Sequence, residues 1–303
     1  MNNKSMLIYL LAFIVLTLVT SCGESSINLG PETFEQKIVI QGFIFPGNKV
    51  ESIRLTKNFP LNTTPNPAVL VISNADVKLT DMETGKEYKL TFNLKKLSYE
   101  YSGSDLTIGF DKYYKLNVNT NIDGKIYSAS SLTKTPKQGF SIDQNKSVSG
   151  IIRYRELDKN GNVKELPIVV NLSEGTSYYP ISIVALQASD STFIYDNAYR
   201  EVKKEDVIKN LDNFKYQKRW MQNLNPLGTS AKYEINWLGI WFYSLYRVIV
   251  YAGDENFRLY SQTNSNVQEF DGNFHEPRIN IQGDGIGVFA SAIADTINFT
   301  VKK

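Results

Sequence analysis

Thiol chemistry is almost missing from this chain: its 303 residues include a single cysteine, Cys22. One thiol makes no internal disulfide and cannot build a cysteine zinc site, so the fold must stand on packing alone. Histidine is equally scarce. His275 is the only one, and a Ser-His-Asp relay would have to use it. It sits in Phe274-His275-Glu276-Pro277, with no nucleophile-elbow pattern elsewhere in the chain, and reads as a turn histidine bonded to nearby backbone. An excess of one charge is lacking too. The 33 Lys+Arg against 31 Asp+Glu leave a net of +2, without the basic surplus that phosphate neutralisation requires, so no nucleic-acid partner is expected.

The N-terminal end holds a clear signal. Lys4 leads into an apolar run over residues 6–19, which stops at Val19-Thr20-Ser21-Cys22. A basic end, a short apolar stretch and small residues before a cut make a secretory signal. Small residues directly before the unique cysteine are similar to a bacterial lipobox, in which that thiol is acylated and becomes the new first residue. The expected organisation is therefore a signal peptide over 1–21, then lipidated Cys22 and a Gly/Ser/Asn-bearing tether over 22–35. Buried acyl chain contributes about 0.8 kcal/mol per methylene, so several palmitate-length chains would hold a domain on a membrane almost permanently.

From residue 36 the pattern is one of short apolar alternations broken by turn residues, as in an antiparallel sandwich. Residues 37–44 and 52–57 flank Pro46-Gly47-Asn48. Residues 75–80 and 86–91 flank Asp81-Met82-Glu83-Thr84-Gly85, and residues 113–120 and 125–129 flank Asp123-Gly124, a pair suited to a primed hairpin turn. These segments predict an immunoglobulin-like β-sandwich over 36–136. A second β-rich domain is expected over 140–303, with strands over 147–156, 163–171 and 178–188 and one short helix over 202–214. In that helix Val207, Ile208, Leu211 and Phe214 share a face. The aromatic run 235–252 predicts long sandwich strands, because Asn236, Ser244 and Arg247 interrupt it as a membrane span. Residues 255–261 suit a short helix or a turn, and β-like segments fall near 279–281, 287–290 and 296–301. The fold class is mainly β.

Several motifs point to chemistry and fail on their spacing. Asp158-Lys159-Asn160-Gly161-Asn162 resembles the start of a calcium loop, but Val163 and Val169 stand where glycine and a bidentate glutamate belong, so a hairpin turn is expected. Gly283-Asp284-Gly285-Ile286-Gly287 lacks the following helix that would receive a phosphate and suits a bulge or tight bend. No cofactor, metal or catalytic residue is assigned. Trp220, Trp237 and Trp241 are the candidate ligand-binding residues, since broad rings stack on a sugar or peptide at small entropic cost. Core packing competes for most of them, and Trp220, beside Lys218 and Arg219, is expected to be exposed.

Taken in order, several segments give the chain a family resemblance. They are the Val19-Thr20-Ser21-Cys22 lipobox, Ile38-Val39-Ile40-Gln41-Gly42-Phe43-Ile44, Asn74-Ala75-Asp76-Val77-Lys78-Leu79, Gly124-Lys125-Ile126-Tyr127-Ser128-Ala129, Thr135-Pro136, and Asn273-Phe274-His275-Glu276-Pro277 before Gly283-Asp284-Gly285-Ile286-Gly287-Val288-Phe289. The chain resembles the DUF4249 lipoproteins of the Bacteroidota. Gln282-Gly283-Asp284-Gly285 departs from the family, which more often reads Asn-Ile before a Gly pair. The family has no established activity. The resemblance implies an outer-membrane lipoprotein, on the periplasmic or the cell-surface face, whose partner would be a TonB-dependent transporter or another envelope protein. The functional expectation is a non-catalytic binding or accessory module for a glycan or peptide ligand. The alternatives are a carboxylate-based glycan hydrolase or a purely structural envelope protein.

Overall fold

The computed structural model describes residues 34–60, 63–196, 202–222, 224, 228–264 and 280–303. Cys22, the segment expected to be a signal peptide, most of the expected tether and the 273–277 motif with His275 lie outside the described residues. Residues 36–303 form one compact unit. It is mainly β, sandwich-like, with a few short helices.

The first seven strands are β1 (Ile38–Ile44), β2 (Arg54–Lys57), β3 (Asp76–Asp81), β4 (Glu87–Asn93), β5 (Ser98–Glu100), β6 (Tyr113–Ile122) and β7 (Lys125–Lys134), with a helical turn α1 (Pro67–Leu70) after β2. Then come β8 (Ser141–Ile142), β9 (Gly150–Arg153), β10 (Pro167–Asn171) and β11 (Pro180–Ala185). Helices α2 (Lys204–Lys209) and α3 (Leu211–Lys215) precede β12 (Tyr216–Trp220), β13 (Ser230–Glu234) and β14 (Leu245–Gly253). Helix α4 (Glu255–Asn264) precedes β15 (Ile281–Gly283) and β16 (Gly285–Lys302).

A seven-stranded sheet, in the order β12-β11-β14-β16-β1-β2 with β9 also on β16, runs the length of the unit. Its β1-β2 end packs against the six-stranded sheet β15-β7-β6-β3-β4-β5, and its other end against the three-stranded sheet β13-β10-β8. Alternation decides which side chains enter the core. In β1, Ile38, Ile40 and Ile44 are buried while Gln41 faces out. In β6, Tyr114, Leu116 and Val118 are buried by the same period of two. The apolar core falls into two clusters, one drawn from residues between Ile38 and Ala129 plus Phe289, the other from residues between Phe140 and Val301.

β16 belongs to both. Its residues 285–291 pair in parallel with β1, and residues 292–300 pair antiparallel with β14. At about 3.3 Å per residue this single strand reaches roughly 60 Å, so one backbone ladder spans both cores. The first sandwich is completed from the C-terminal end of the chain, by β15 on β7 and by the start of β16 on β1.

The Gly283–Gly287 bend makes that crossing possible. Gly283 (φ +82) and Gly287 (φ +105) adopt left-handed backbone where the chain leaves β7 for β1. A Cβ on Gly283 would lie 2.4 Å from the Ser128 carbonyl oxygen, and one on Gly287 2.1 Å from that of Ile40. These glycines fit the expected tight bend. Asp123 (φ 51) and Gly124 (φ 86) likewise form the primed turn of the β6–β7 hairpin. At Asp158 the carboxylate accepts the Asn160 and Asn162 backbone N–H groups, at 2.8 and 2.9 Å, in the plain turn that the missing calcium-loop positions implied.

Four buried tyrosines pin loops to the sandwiches. Tyr99 donates to the Ile72 carbonyl and accepts from Ala75 N–H, and Tyr114 accepts from Gly109 N–H. Tyr179 and Tyr246 each bond both backbone groups of one residue, Ser173 and Phe242. A tyrosine tied to backbone a few residues upstream is the corner device of immunoglobulin-like sandwiches.

Two expected elements differ in detail. The helix over 202–214 is divided at Asn210, whose turn conformation (φ −127, ψ 34) separates α2 from α3; Val207 alone of α2 is fully buried. Of the aromatic run over 235–252, expected to form long strands, only the second half is strand. Asn236 caps a 3₁₀ turn at Trp237–Gly239, accepting from Leu238 N–H, and β14 starts only at Leu245.

Candidate functional site

A cleft of about 400 Å³ opens where the two sandwiches meet. One wall is the end of β7 with its continuation, Leu132 to Lys137. The other is formed by residues 174–177 and by Gly253 to Asn256 at the start of α4.

Asp254 is the N-cap of α4. Its Oδ1 accepts from Phe257 N–H at 2.9 Å, its Oδ2 accepts from the Thr133 hydroxyl, and its own N–H donates to the Ser291 carbonyl. Burial is the main cause that raises its pKa, from 3.8 to about 6, against the lowering effect of these hydrogen bonds. Asn256, two residues on, sends its Nδ2 to the Leu132 and Phe289 carbonyls at 2.7 and 2.9 Å. Asn280 Nδ2 reaches the same Leu132 carbonyl and Asn256 Oδ1. These side chains stitch β7, α4 and β16 together at the cleft floor.

The lysines of the cleft are paired. Lys134 Nζ lies 2.7 Å from Asp111 Oδ1 and 5.3 Å from the centre of the Tyr113 ring, and Lys137 Nζ lies 2.8 Å from Glu174 Oε1. The hydrogen bond to Asp111 raises the Lys134 pKa, and the same bond lowers that of Asp111. Glu255 is engaged by Arg258. Of the four carboxylates lining the cleft, only Asp254 makes no ion pair among the described residues, and it is held by a hydroxyl and a helix N–H. The cleft therefore offers hydroxyls, amides and ion pairs to a polar ligand, without an activated nucleophile.

The raised Asp254 pKa gives a testable sign. Its folded value, about 6, lies above the ordinary 3.8, so folding favours the protonated acid. This contribution to stability is complete below about pH 4 and is lost as pH rises through 6. Asp254→Asn keeps an equally good helix cap, so it is expected to flatten the stability profile between pH 4 and 6 without destabilising the fold at pH 7. Urea titrations at three pH values would check this. Asp254→Ala, which loses the cap, should cost about 1 kcal/mol.

The three tryptophans do not form one surface. Trp237 is buried, with Nε1 donating to the Lys164 carbonyl at 2.8 Å and its ring edge-on to Tyr154. Trp241 is buried and stacked on Phe193, with ring centres 5.8 Å apart. Trp220 is 54% exposed on the edge strand β12, where a shallow depression also takes in Arg219, Tyr233 and Glu234, the last paired with Lys232. None of the three lines the cleft. Sequence reading passed over Asp254, Asn256 and Asn280. The available signal was an acidic residue directly before a helix, a good N-cap.

A family model described as a domain of unknown function, DUF4249, matches residues 24–296. The chain belongs to the DUF4249 family. No curated protein matches this DUF4249 chain. Among solved structures it is similar to a DUF4785 family protein of Legionella pneumophila, with 12% identity and a TM-score of 0.23 over 71% of this chain and 51% of that one. A structure from a 1.5-MDa bacterial ice-binding adhesin has 12% identity and a TM-score of 0.21, over 89% of this chain and 65% of that one. Escherichia coli alpha-2-macroglobulin activated by porcine elastase has 10% identity and a TM-score of 0.21, over 88% of this chain and 23% of that one. The DUF4249 chain thus spans about half the length of the Legionella protein.

Proposed function

We propose that this DUF4249 chain is an outer-membrane lipoprotein of the Bacteroidota, anchored through Cys22, that serves as a non-catalytic binding or accessory module for an envelope partner such as a TonB-dependent transporter engaged in uptake. The observation that carries the binding reading is the junction cleft, a recess whose lysines are already neutralised by Asp111 and Glu174 and whose remaining polar groups are hydroxyls, amides, the Arg258-paired Glu255 and the hydrogen-bonded Asp254. Such a recess holds a partner by geometry and hydrogen bonds more than by net charge. The anchor reading is supported by the unique cysteine behind small residues at the end of the apolar leader.

Two measurements test the proposal. Cys22→Ser is expected to move the protein from the membrane fraction to the soluble fraction; retention in the outer membrane would end the anchor reading. Affinity purification of the native lipidated protein from detergent-solubilised envelope should recover a specific partner, and Lys134→Glu, which sets two acids side by side at the cleft wall, should lose it. Equal recovery with that variant, or no partner at all, would count against the cleft as the binding site.

A further inference from the structure

Among the described residues, the strands of the far half of the long sheet turn no acidic side chain outward. On β12, β11, β14, the second half of β16 and β9, the residues that alternate away from the core are Tyr216, Lys218 and Trp220; Pro180, Ser182 and Val184; Leu245, Arg247, Ile249 and Tyr251; Ala294, Thr296, Asn298, Thr300 and Lys302; and Ile151 and Arg153. Asp295, the one acid within these strands, points inward and accepts from Ile142 N–H. In a chain that carries 33 basic and 31 acidic residues, this separation is local.

The four cations form a line. The register places Lys218 opposite Ser182 and Ile249, Arg247 opposite Val184 and Asn298, and Lys302 opposite Arg153. With strands 4.8 Å apart and about 3.3 Å per residue, Lys218 to Arg247 is roughly 12 Å and Arg247 to Lys302 roughly 14 Å, a diagonal crossing the sheet. None of the four makes an ion pair among the described residues. The acid next along from β9, Glu156, is taken by Lys164 and the Arg153 backbone N–H. Between the cations stand Ser182, Thr296, Asn298 and Thr300, with Val184, Leu245 and Ile249 beside Arg247. Half-exposed Tyr216 and Trp220 flank the Lys218 end, and a depression of about 440 Å³ opens beside Thr300 and Lys302 at the other.

Lysine on an edge strand guards against aggregation, but that role does not account for Trp220 exposed beside Lys218, nor for Arg247 in the sheet interior. A second copy of the chain would meet like charge. A protein interface gathers an apolar centre inside a polar rim, whereas here Arg247 stands among the apolar Val184, Leu245 and Ile249 at the middle of the face. We infer that this face binds an extended acidic glycan, its carboxylates meeting Lys218, Arg247, Lys302 and Arg153, its hydroxyls meeting the Ser, Thr and Asn side chains, and a sugar ring stacking on Trp220. The site is separate from the junction cleft and requires neither the anchor nor the envelope partner.

Affinity electrophoresis of the purified full chain in gels containing polygalacturonate, neutral dextran or poly-glutamate tests the inference. Polygalacturonate is expected to retard the protein and dextran not to, with retardation falling as salt is raised. Lys218→Glu with Arg247→Glu should weaken binding more than about tenfold, and Trp220→Ala about threefold to tenfold. Lys302→Glu with Arg153→Glu tests the other end, should the first pair unfold; melting curves check that each variant is folded. No retardation by polygalacturonate, retardation unchanged in both charge-reversed pairs, or equal retardation by poly-glutamate would overturn the proposal; the last outcome would assign the face to an acidic polypeptide.

Discussion

Gly287→Ala is expected to destabilise the protein by more than about 3 kcal/mol, since left-handed strain alone costs on the order of 1–3 kcal/mol and a backbone clash adds to it. The new Cβ would sit 2.1 Å from the Ile40 carbonyl oxygen, at a φ of +105, and the atom in its way is backbone that cannot swing aside. Relief requires β1 and β16 to separate at the Ile40–Gly287 pair, in the middle of their seven-residue register. For a unit of this size, 3 kcal/mol lowers the melting temperature by roughly 5 °C. Gly85→Ala is the comparison: its φ is +69, nothing lies within 4 Å of the added Cβ, and it should cost only the conformational part, about 1 kcal/mol. Thermal melts of the two variants separate the contact from the strain. Equal losses would show that the close approach at Ile40 is unimportant.

Tyr246→Phe should cost about 2–3 kcal/mol, because deleting one hydroxyl strands two buried backbone groups at once. The Tyr246 side chain is 1% exposed, stacks on Phe299 with ring centres 5.2 Å apart, and exchanges hydrogen bonds of 3.0 Å with both the N–H and the C=O of Phe242. Burial holds its phenol well above the ordinary tyrosine pKa, so the hydroxyl stays a donor across the working pH range. Phenylalanine preserves the stack and fills nearly the same volume, so the loss reports the corner alone. Tyr216→Phe, at a half-exposed ring, is expected to stay within about 0.5 kcal/mol. Denaturant titrations would show a lowered midpoint for Tyr246→Phe with an unchanged slope.

Local chemistry made parts of this fold legible. Asp123-Gly124 announced its hairpin because both residues need positive φ, and the alternation in residues 37–44 and 113–120 marked buried faces without reference to distant contacts. β16 was not legible. The sequence suggested two separate segments, near 287–290 and 296–301, for what is one strand, because Val288, Phe289, Ala290, Ser291 and Ala292 are all buried and give no period of two. The helix over 202–214 buries Val207 and partly Leu211 and Phe214, but Ile208, expected on the same face, is exposed, and the helix breaks at Asn210, where propensity is weak. The cleft was out of reach for another reason. Its walls come from residues near 111, 132–137, 174–177 and 253–256, which only the tertiary fold brings together, and the composition of each stretch is ordinary. The acid-free face is intermediate: each cation was visible, but the line they form depends on the register of five strands.

The parallel pairing of β1 with β16 has a mechanical consequence. A pull applied at Gln36 and directed along β1, away from the second sandwich, loads all seven register pairs from Ile38–Gly285 to Ile44–Ser291 in shear. They must fail together, whereas a hairpin pulled from its open end would unzip one pair at a time. β16 continues without interruption into the second core, so the force passes into the longest strand of the molecule. Placing β1 in this geometry makes the N-terminal end of the described unit the one best arranged to bear tension.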